Sequence, residues 1–168
     1  MSFFRDKYGA MSLGVTVALL ADQVSKSLII HKLPVGGKLA VIPGCFEFFH
    51  TYNTGALFSL FTGHRVAFFL TANALAIVFL LYIFTRLARR DMLPALALSM
   101  ILGGALGNSL DRIRHGSVVD FLRFYLGKFS WPTANVADIA IVCGVILFAV
   151  QMFQAERMKN MALEKQGQ

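Results

Sequence analysis

The chain has 168 residues, of which 57% are hydrophobic and only 15% are charged. Charged residues make up about 25% of an ordinary soluble domain, so the composition excludes that class and indicates an integral membrane protein. The formal net charge of +7 does not indicate a nucleic-acid partner, because the basic residues cluster beside apolar segments and form no stripe between exposed aromatic residues.

The first predicted helix spans about residues 10–33 and follows Arg5 and Lys7. A basic start before an apolar segment is also typical of a secretory signal, but Asp22 and Lys26 in the second half indicate a retained membrane helix. The two charges share one helical face at i and i+4. Either they only neutralise each other, or they face the bundle interior and support a functional site; we favour the second interpretation.

A small sheet is predicted outside the membrane over about residues 38–58, with strands on either side of a Pro-Gly turn. Phe46, Phe48 and Phe49 make it apolar enough to lie on the lipid surface or to form the wall of a groove for an extended peptide. Asn53 and Gly55 then place an amide beside unhindered backbone, although this spacing also occurs in ordinary turns.

The second and third predicted helices span about residues 66–85 and 93–113. Small residues recur every four positions along the third helix, which predicts close packing against a neighbouring helix: Ala95, Ser99, Gly103 and Gly107. The adjacent stripe contains Gly104, Asn108 and Arg112, whose amide and guanidinium can donate to a carbonyl or carboxylate without titrating. The alternative for this stripe is a helix end whose arginine extends to the interface.

The fourth predicted helix spans about residues 136–154, after an outer loop over 114–135. Basic residues are denser beside the termini and between the second and third helices than on the opposite side. We therefore expect one integral membrane domain over residues 1–168, with both termini in the cytoplasm and the sheet and loop outside.

Asp120 and Asp138 lie between the third and fourth helices or at the start of the fourth, so they are on the same side of the membrane. Asp120 lies in an apolar setting, where an acid is costly unless it is paired or used; an ion pair with Arg123 is the alternative. Asp138 has a structural alternative in the first turn of a helix capped by Asn135.

If the two carboxylates meet, both cannot ionise cheaply, so they share a proton. One can then activate a water molecule while the other protonates a carbonyl oxygen. We expect Asp138 to be the base and Asp120 the acid.

Three alternatives compete with this interpretation of the aspartate pair. Serine catalysis is disfavoured because Ser59, Ser109 and Ser117 lack a nucleophile elbow, and His50, His64 and His115 lack an evident orienting acid. A small transporter or proton-conducting subunit would use Asp22, Lys26 and Asp111 with the aspartate pair as a relay, but the ionisable groups concentrate near the outer end. A non-catalytic assembly factor would leave the aspartate pair dispensable.

Five segments of the chain stand out together: DQVSK at Asp22–Lys26, NTGALFS at Asn53–Ser59, GGALGNSLDR at Gly103–Arg112, VVDF at Val118–Phe121 and NVAD at Asn135–Asp138. In this order they resemble the motifs of the bacterial lipoprotein signal peptidases, also called signal peptidase II. Leu57 and Ala134 depart from the residues common in that family, which concerns the detailed shape of the pocket.

The resemblance implies an aspartic peptidase of the bacterial inner membrane with Asp120 and Asp138 as its catalytic pair. It would remove the signal peptide from a diacylglyceryl-modified prolipoprotein, cutting just before the lipidated cysteine, and would be inhibited by globomycin. The residues implied to line or support the site are Asp22, Lys26, Asn53, Gly104, Asn108, Arg112 and Asn135.

Neither a metal nor an organic cofactor is expected. Cys45 and Cys143 lack the spacing of a zinc site and do not indicate a disulfide framework. Gly103, Gly104 and Gly107 are expected to leave room for the close approach of an apolar substrate segment.

Overall fold

The computed structural model describes residues 6–55 and 65–166, which form four helices and a four-stranded antiparallel sheet. In chain order these elements are α1 (Lys7–Lys32), β1 (Lys38–Ile42), β2 (Phe46–Asn53), α2 (Arg65–Arg86), α3 (Met92–His115), β3 (Val118–Leu126), β4 (Phe129–Ser130) and α4 (Val136–Gln166). Each helix is long and apolar enough to cross a bilayer. The predicted multi-pass helical architecture with a small sheet is therefore confirmed.

The segment predicted as an outer loop, residues 114–135, instead contributes two strands to the sheet. The strands follow the order β1-β2-β3-β4, and β3 pairs along β2 with Thr51 opposite Asp120. Locally, β3 pairs with the two-residue strand β4 and with Ala134, whereas its longer pairing is with β2, in a distant part of the chain. That distant pairing is why the sequence of β3 alone did not identify it as a strand. Residues 56–58 of the predicted sheet lie outside the described residues.

Helix α4 is longer than predicted, because it continues from Val136 to Gln166 instead of ending near residue 154. Its last part contains charged and uncharged residues with good helix propensity, so the helix can continue beyond the apolar segment. Helix α3 ends as a glycine-terminated helix should: Gly116 adopts a left-handed φ of 69° and its N–H donates to Arg112 O at 3.0 Å.

Helix α3 lies between α1 and α4, and its small residues provide both contacts. A Cβ on Gly103 would lie 2.7 Å from the Ala18 Cβ of α1. A Cβ on Gly104 would lie 2.5 Å from the Ala137 carbonyl oxygen of α4. The predicted packing seam is thus confirmed, but the expected room for substrate over these glycines is not: α1 and α4 fill that space.

The sheet is attached to the end of the bundle where α1 and α3 finish and where α2 and α4 begin, here called the sheet end. His50 of β2 is buried, and its Nδ1 lies 2.8 Å from Leu33 O at the end of α1. The opposite end of the bundle is joined by Lys7, a buried lysine whose ammonium donates to Phe84 O at 3.0 Å and Leu87 O at 2.7 Å. These contacts connect the start of α1 to the end of α2.

Candidate active site

Asp120 lies in β3 with its carboxylate buried at the sheet end of the bundle. Its Oδ2 accepts a hydrogen bond from Asn53 Nδ2 at 2.8 Å, and its Oδ1 accepts one from Asn135 Nδ2 at 2.7 Å. Arg123 pairs instead with Glu47, and its guanidinium lies 3.9 Å from the centre of the Phe49 ring. The alternative in which Asp120 serves an ion pair with Arg123 is therefore wrong.

Asp138 lies in the first turn of α4 and takes part in a reciprocal capping arrangement. Its N–H donates to Asn135 Oδ1 at 3.0 Å, and the N–H of Asn135 donates to Asp138 Oδ2 at 3.1 Å. The other carboxylate oxygen, Oδ1, accepts from Asn108 Nδ2 at 2.9 Å. The helix-cap explanation of Asp138 is correct but incomplete, because the same carboxylate also belongs to a side-chain network.

Two amide side chains join the carboxylates of Asp120 and Asp138. Asn135, which is 0% exposed, donates to Asp120 and caps the helix turn that contains Asp138. Its Nδ2 also lies 3.1 Å from Asn108 Oδ1, and Asn108 in turn donates to Asp138. Strand β3 and helix α4 therefore bring both aspartates into one hydrogen-bonded cluster.

The environment of Asp120 favours its protonated form. Burial is the main cause that raises the pKa of Asp120 from 3.8 to about 6. The hydrogen bond from Asn53 lowers this pKa, the charge of Asp138 raises it, and the hydrogen bond from Asn135 and the charge of Lys26 lower it. A carboxyl with this pKa can hold a proton that an ordinary aspartate would have lost.

Lys26 lies behind the aspartate pair and is nearly inaccessible, at 2% exposure. Its ammonium lies 2.8 Å from Asp22 Oδ2, 2.8 Å from Asp111 Oδ2 and 3.0 Å from Asn108 Oδ1. These contacts use all three donors of the ammonium group. The interpretation of Asp22 and Lys26 as a pair that only neutralises itself is wrong, because Lys26 also contacts two residues of α3. These are Asp111 and Asn108, and Asn108 is the residue that donates to Asp138.

Asp22 links this ionic cluster to the start of α4. Its Oδ1 accepts the Ala137 N–H at 2.9 Å, one of the N–H groups that a helix cannot satisfy internally. Gly107 allows this approach, because a Cβ there would lie only 2.4 Å from Asp22 Oδ2. Lys26 and Asn108 lie about 10 Å before the ends of α1 and α3, because six and seven residues follow them at about 1.5 Å each.

An open cavity of about 540 Å³ lies in front of Asp120. It is lined by Thr51, Tyr52, Asn53, Thr54, Gly55, Phe69, Arg112, Asp120, Pro132 and Thr133. Arg112 donates to Asn108 O at 3.2 Å, and its guanidinium lies 4.7 Å from the centre of the Phe69 ring. An amide and a guanidinium, from Asn53 and Arg112, therefore face the same space as one of the two aspartates.

The predicted residues occupy three positions around this cluster. Asn53 and Arg112 line the cavity, Asn108 and Asn135 join the aspartates, and Asp22 and Lys26 lie behind them. Gly104 does not line the cavity but contacts the α4 backbone. Ser59, Leu57 and His64 lie outside the described residues.

Sequence reasoning missed two contributors. Asp111 was predicted only as part of a relay, although it lies three residues after Asn108 and so shares a helical face with it. Phe69 carried no signal that separated it from other apolar residues of α2. The hydroxyls of Ser109 and Ser117 donate to the backbone carbonyls of Ala105 and His115, at 2.8 and 3.4 Å. These contacts give neither serine an activating base.

The model of a protein family described as Signal peptidase (SPase) II matches residues 15–154. The chain belongs to the signal peptidase II family. It is similar to the "Lipoprotein signal peptidase" of Desulforapulum autotrophicum, with 40% identity over 79% of this chain and 85% of the relative. The protein of the same name from Geobacter metallireducens is 36% identical over 93% of this chain and 98% of the relative.

The fold is also similar to that of a solved structure described as a bacterial membrane enzyme determined by the in meso method at 1.9 Å resolution. The TM-score is 0.79 with 30% identity, covering 86% of this chain and 92% of the other. Membership of the signal peptidase II family makes this chain a multi-pass membrane peptidase.

Proposed function

We propose that this member of the signal peptidase II family is an aspartic endopeptidase that removes signal peptides from diacylglyceryl-modified prolipoproteins. The observation that carries the proposal is a pair of aspartates, Asp120 and Asp138, joined through Asn135 beside a cavity that Asp120 lines. The names of the relatives supply the substrate class, and the cut is expected just before the lipidated cysteine.

In this mechanism a water molecule is activated between the two carboxylates. Asp138 takes a proton as the water oxygen attacks the scissile carbonyl carbon, while Asp120 donates its proton to the carbonyl oxygen. In the resulting diol, Asp138 returns a proton to the leaving nitrogen and Asp120 recovers one from a hydroxyl as the C–N bond breaks. Each carboxyl ends in its starting protonation state.

The hydrogen bonds support this division of roles. Asp138 accepts from Asn108 Nδ2 and from the Asn135 N–H in the first turn of a helix, where the helix dipole favours an anion. Asp120 is the carboxyl whose pKa is raised by burial to about 6. Two carboxyls in different environments are the arrangement that acid–base hydrolysis requires.

The cavity supports recognition of an extended peptide. Asn53 donates one amide hydrogen to Asp120 and accepts the Gly55 N–H at 2.8 Å through its Oδ1, so its orientation is fixed. The Arg112 guanidinium lies against an aromatic ring with donors available toward peptide carbonyls. A globomycin-type cyclic peptide is expected to occupy the same space.

The apolar surface of the helices supports a substrate whose signal segment and lipid lie in the bilayer. The bundle is proposed to lie in the bacterial inner membrane with both termini in the cytoplasm and the sheet end outside, following the distribution of basic residues. Asp138 lies in the first turn of α4, at the sheet end of the bundle, so in this orientation the scissile bond lies near the outer lipid boundary.

Cleavage of a purified precursor tests the proposal. The protein in lipid vesicles is given one precursor with diacylglyceryl on its cysteine and the same precursor without it, and the products are weighed by mass spectrometry. We expect a signal peptide that ends one residue before the cysteine, released from the lipidated form only. Cleavage at another bond, or equal cleavage of both precursors, would contradict the substrate assignment.

A further inference from the structure

Asp111 is a buried aspartate of α3 that is absent from the lining of the cavity and has no role in the mechanism above. It is 3% exposed. Its Oδ2 is 2.8 Å from Lys26 Nζ and also accepts the Val119 N–H at 3.1 Å. Its Oδ1 accepts from Gln23 Nε2 at 3.1 Å. The Oδ2 atom of Asp111 therefore contacts both the Lys26 side chain and the backbone of β3. The first contact is connected to Asp138 and the second to Asp120.

The first connection runs through Lys26 to Asp138. Lys26 has no acceptor, so the group of Asn108 that faces it at 3.0 Å must be the amide oxygen. The amide nitrogen of Asn108 is thereby directed to Asp138 Oδ1, at 2.9 Å. By holding Lys26, Asp111 fixes the direction of the amide that donates to Asp138.

The second connection runs through the backbone to Asp120. Val119 is the residue before Asp120 and is 0% exposed. The pairing of β3 with β2 is irregular between Phe48 and Thr51, and Thr51 is the residue opposite Asp120. The contact with Asp111 therefore holds β3 where its pairing with the neighbouring strand is interrupted.

We propose that Asp111 is a positioning residue for this peptidase, which fixes Asp120 through the Val119 backbone and Asp138 through Lys26 and Asn108. This inference rests on the proposed function, because it assigns Asp111 to the geometry of that same aspartate pair. Asp111 touches neither the substrate nor the reacting atoms.

The charges around Asp111 determine how its replacement acts. Asp22 and Lys26 face it from α1, Arg112 lies on its own helix, and Asp120 and Asp138 lie on β3 and α4. The charge of Lys26 lowers the pKa of Asp120, and Asp111 offsets that charge. An Asp111→Asn replacement keeps the shape of the side chain and an oxygen that accepts the Val119 N–H. It removes a negative charge, so less of the positive charge of Lys26 is neutralised.

The pH dependence of kcat/KM separates positioning from simple loss of folding. For Asp111→Asn we expect the limb at which Asp120 loses its proton to move to lower pH by about one unit. For Asp111→Leu, which removes both acceptors, we expect kcat to fall at least about 100-fold while KM stays within about threefold. Both variants are assayed on the lipidated precursor in vesicles.

Gly103→Ala is the matched control on the same helix. Its added Cβ would lie 2.7 Å from Ala18 Cβ, away from the ionic cluster, so it weakens packing without changing a charge. We expect a lower thermal unfolding temperature, a smaller active fraction and an unchanged pH profile. A change of pH profile in Gly103→Ala equal to that of Asp111→Asn would overturn the inference.

The inference and the proposed function fail in different ways. In the first case, the wild type cleaves the precursor and Asp120→Asn does not, so the proposed function stands. If Asp111→Asn and Asp111→Leu then keep the wild-type pH profile, and their activity falls only in proportion to the folded fraction, Asp111 is merely structural. If the wild type does not cleave the lipidated precursor, or Asp120→Asn cleaves it normally, the proposed function fails and the inference with it.

Discussion

Asn135 offers the most informative single replacement, because it both caps α4 and contacts Asp120. Its Oδ1 accepts the Asp138 N–H at 3.0 Å, and its Nδ2 donates to Asp120 at 2.7 Å. Asn135→Ala removes both functions of the side chain. Asn135→Ser keeps a good helix cap but has no donor that reaches Asp120. The pair of variants therefore separates helix capping from the organisation of the site.

The loss of stability follows from the bonds that each variant loses. Loss of the cap costs about 1 kcal/mol. Loss of a hydrogen bond to a buried carboxylate costs about 2 kcal/mol, and loss of the neutral amide contact to Asn108 about 1 kcal/mol. We expect Asn135→Ala to lose about 4 kcal/mol of unfolding free energy and Asn135→Ser about 3 kcal/mol. The unfolding temperatures of the two variants should then differ by about 3 °C.

The effect on catalysis should be the same in both variants. The hydrogen bond from Asn135 lowers the pKa of Asp120, so its loss raises that pKa and moves the corresponding limb of the pH profile to higher pH. We expect kcat to fall about 100-fold in each variant, because Asp120 is no longer held toward Asp138. Thermal unfolding in detergent and cleavage of a lipidated precursor provide both measurements. If Asn135→Ser recovered wild-type kcat together with its cap, Asn135 would act only on the helix, and the reasoning would be refuted.

Three further predictions concern stability. The pKa of Asp120 is raised to about 6, so ionising its carboxyl lowers the stability of the folded wild type as pH rises from about 4 to about 6. The free energy of unfolding of Asp120→Asn should therefore rise by up to about 3 kcal/mol relative to wild type across that range, and a pH-independent difference would contradict this. Gly107→Ala would place a Cβ 2.4 Å from Asp22 Oδ2 and should cost about 3 kcal/mol, measured by thermal unfolding, with wild-type stability as the contrary result. Lys7→Met removes two hydrogen bonds to carbonyls at the end of α2 and should lower the free energy of unfolding by about 2 kcal/mol. The folded fraction should keep its cleavage activity, and a specific loss of kcat would contradict a purely structural role.

The local sequence predicted those parts of the fold that depend on helical spacing. The four-residue repeat that includes Gly103 and Gly107 predicted a packing seam, because residues four apart lie on one face of a helix whatever its partner. The Asn135 cap was predicted because capping bonds join residues three apart. Such features are encoded within a few residues and need no knowledge of the rest of the chain.

The remainder depends on contacts between distant segments. Strand β3 is stabilised by pairing with β2, about 70 residues earlier, so its own residues did not separate it from a loop. The contact between Lys26 and Asp111 depends on how α1 crosses α3, which a pattern within either helix does not define. The same is true of Lys7, whose acceptors lie at the end of α2.

The most direct test of the aspartate mechanism is the cleavage rate of a diacylglyceryl-modified precursor by Asp120→Asn, Asp138→Asn and the double variant. The two carboxyls act on one water molecule, so we predict that each single replacement lowers kcat at least about 1000-fold and that the double variant is no slower than either. Cleavage within about tenfold of wild type after either replacement, with the protein folded, would contradict the mechanism.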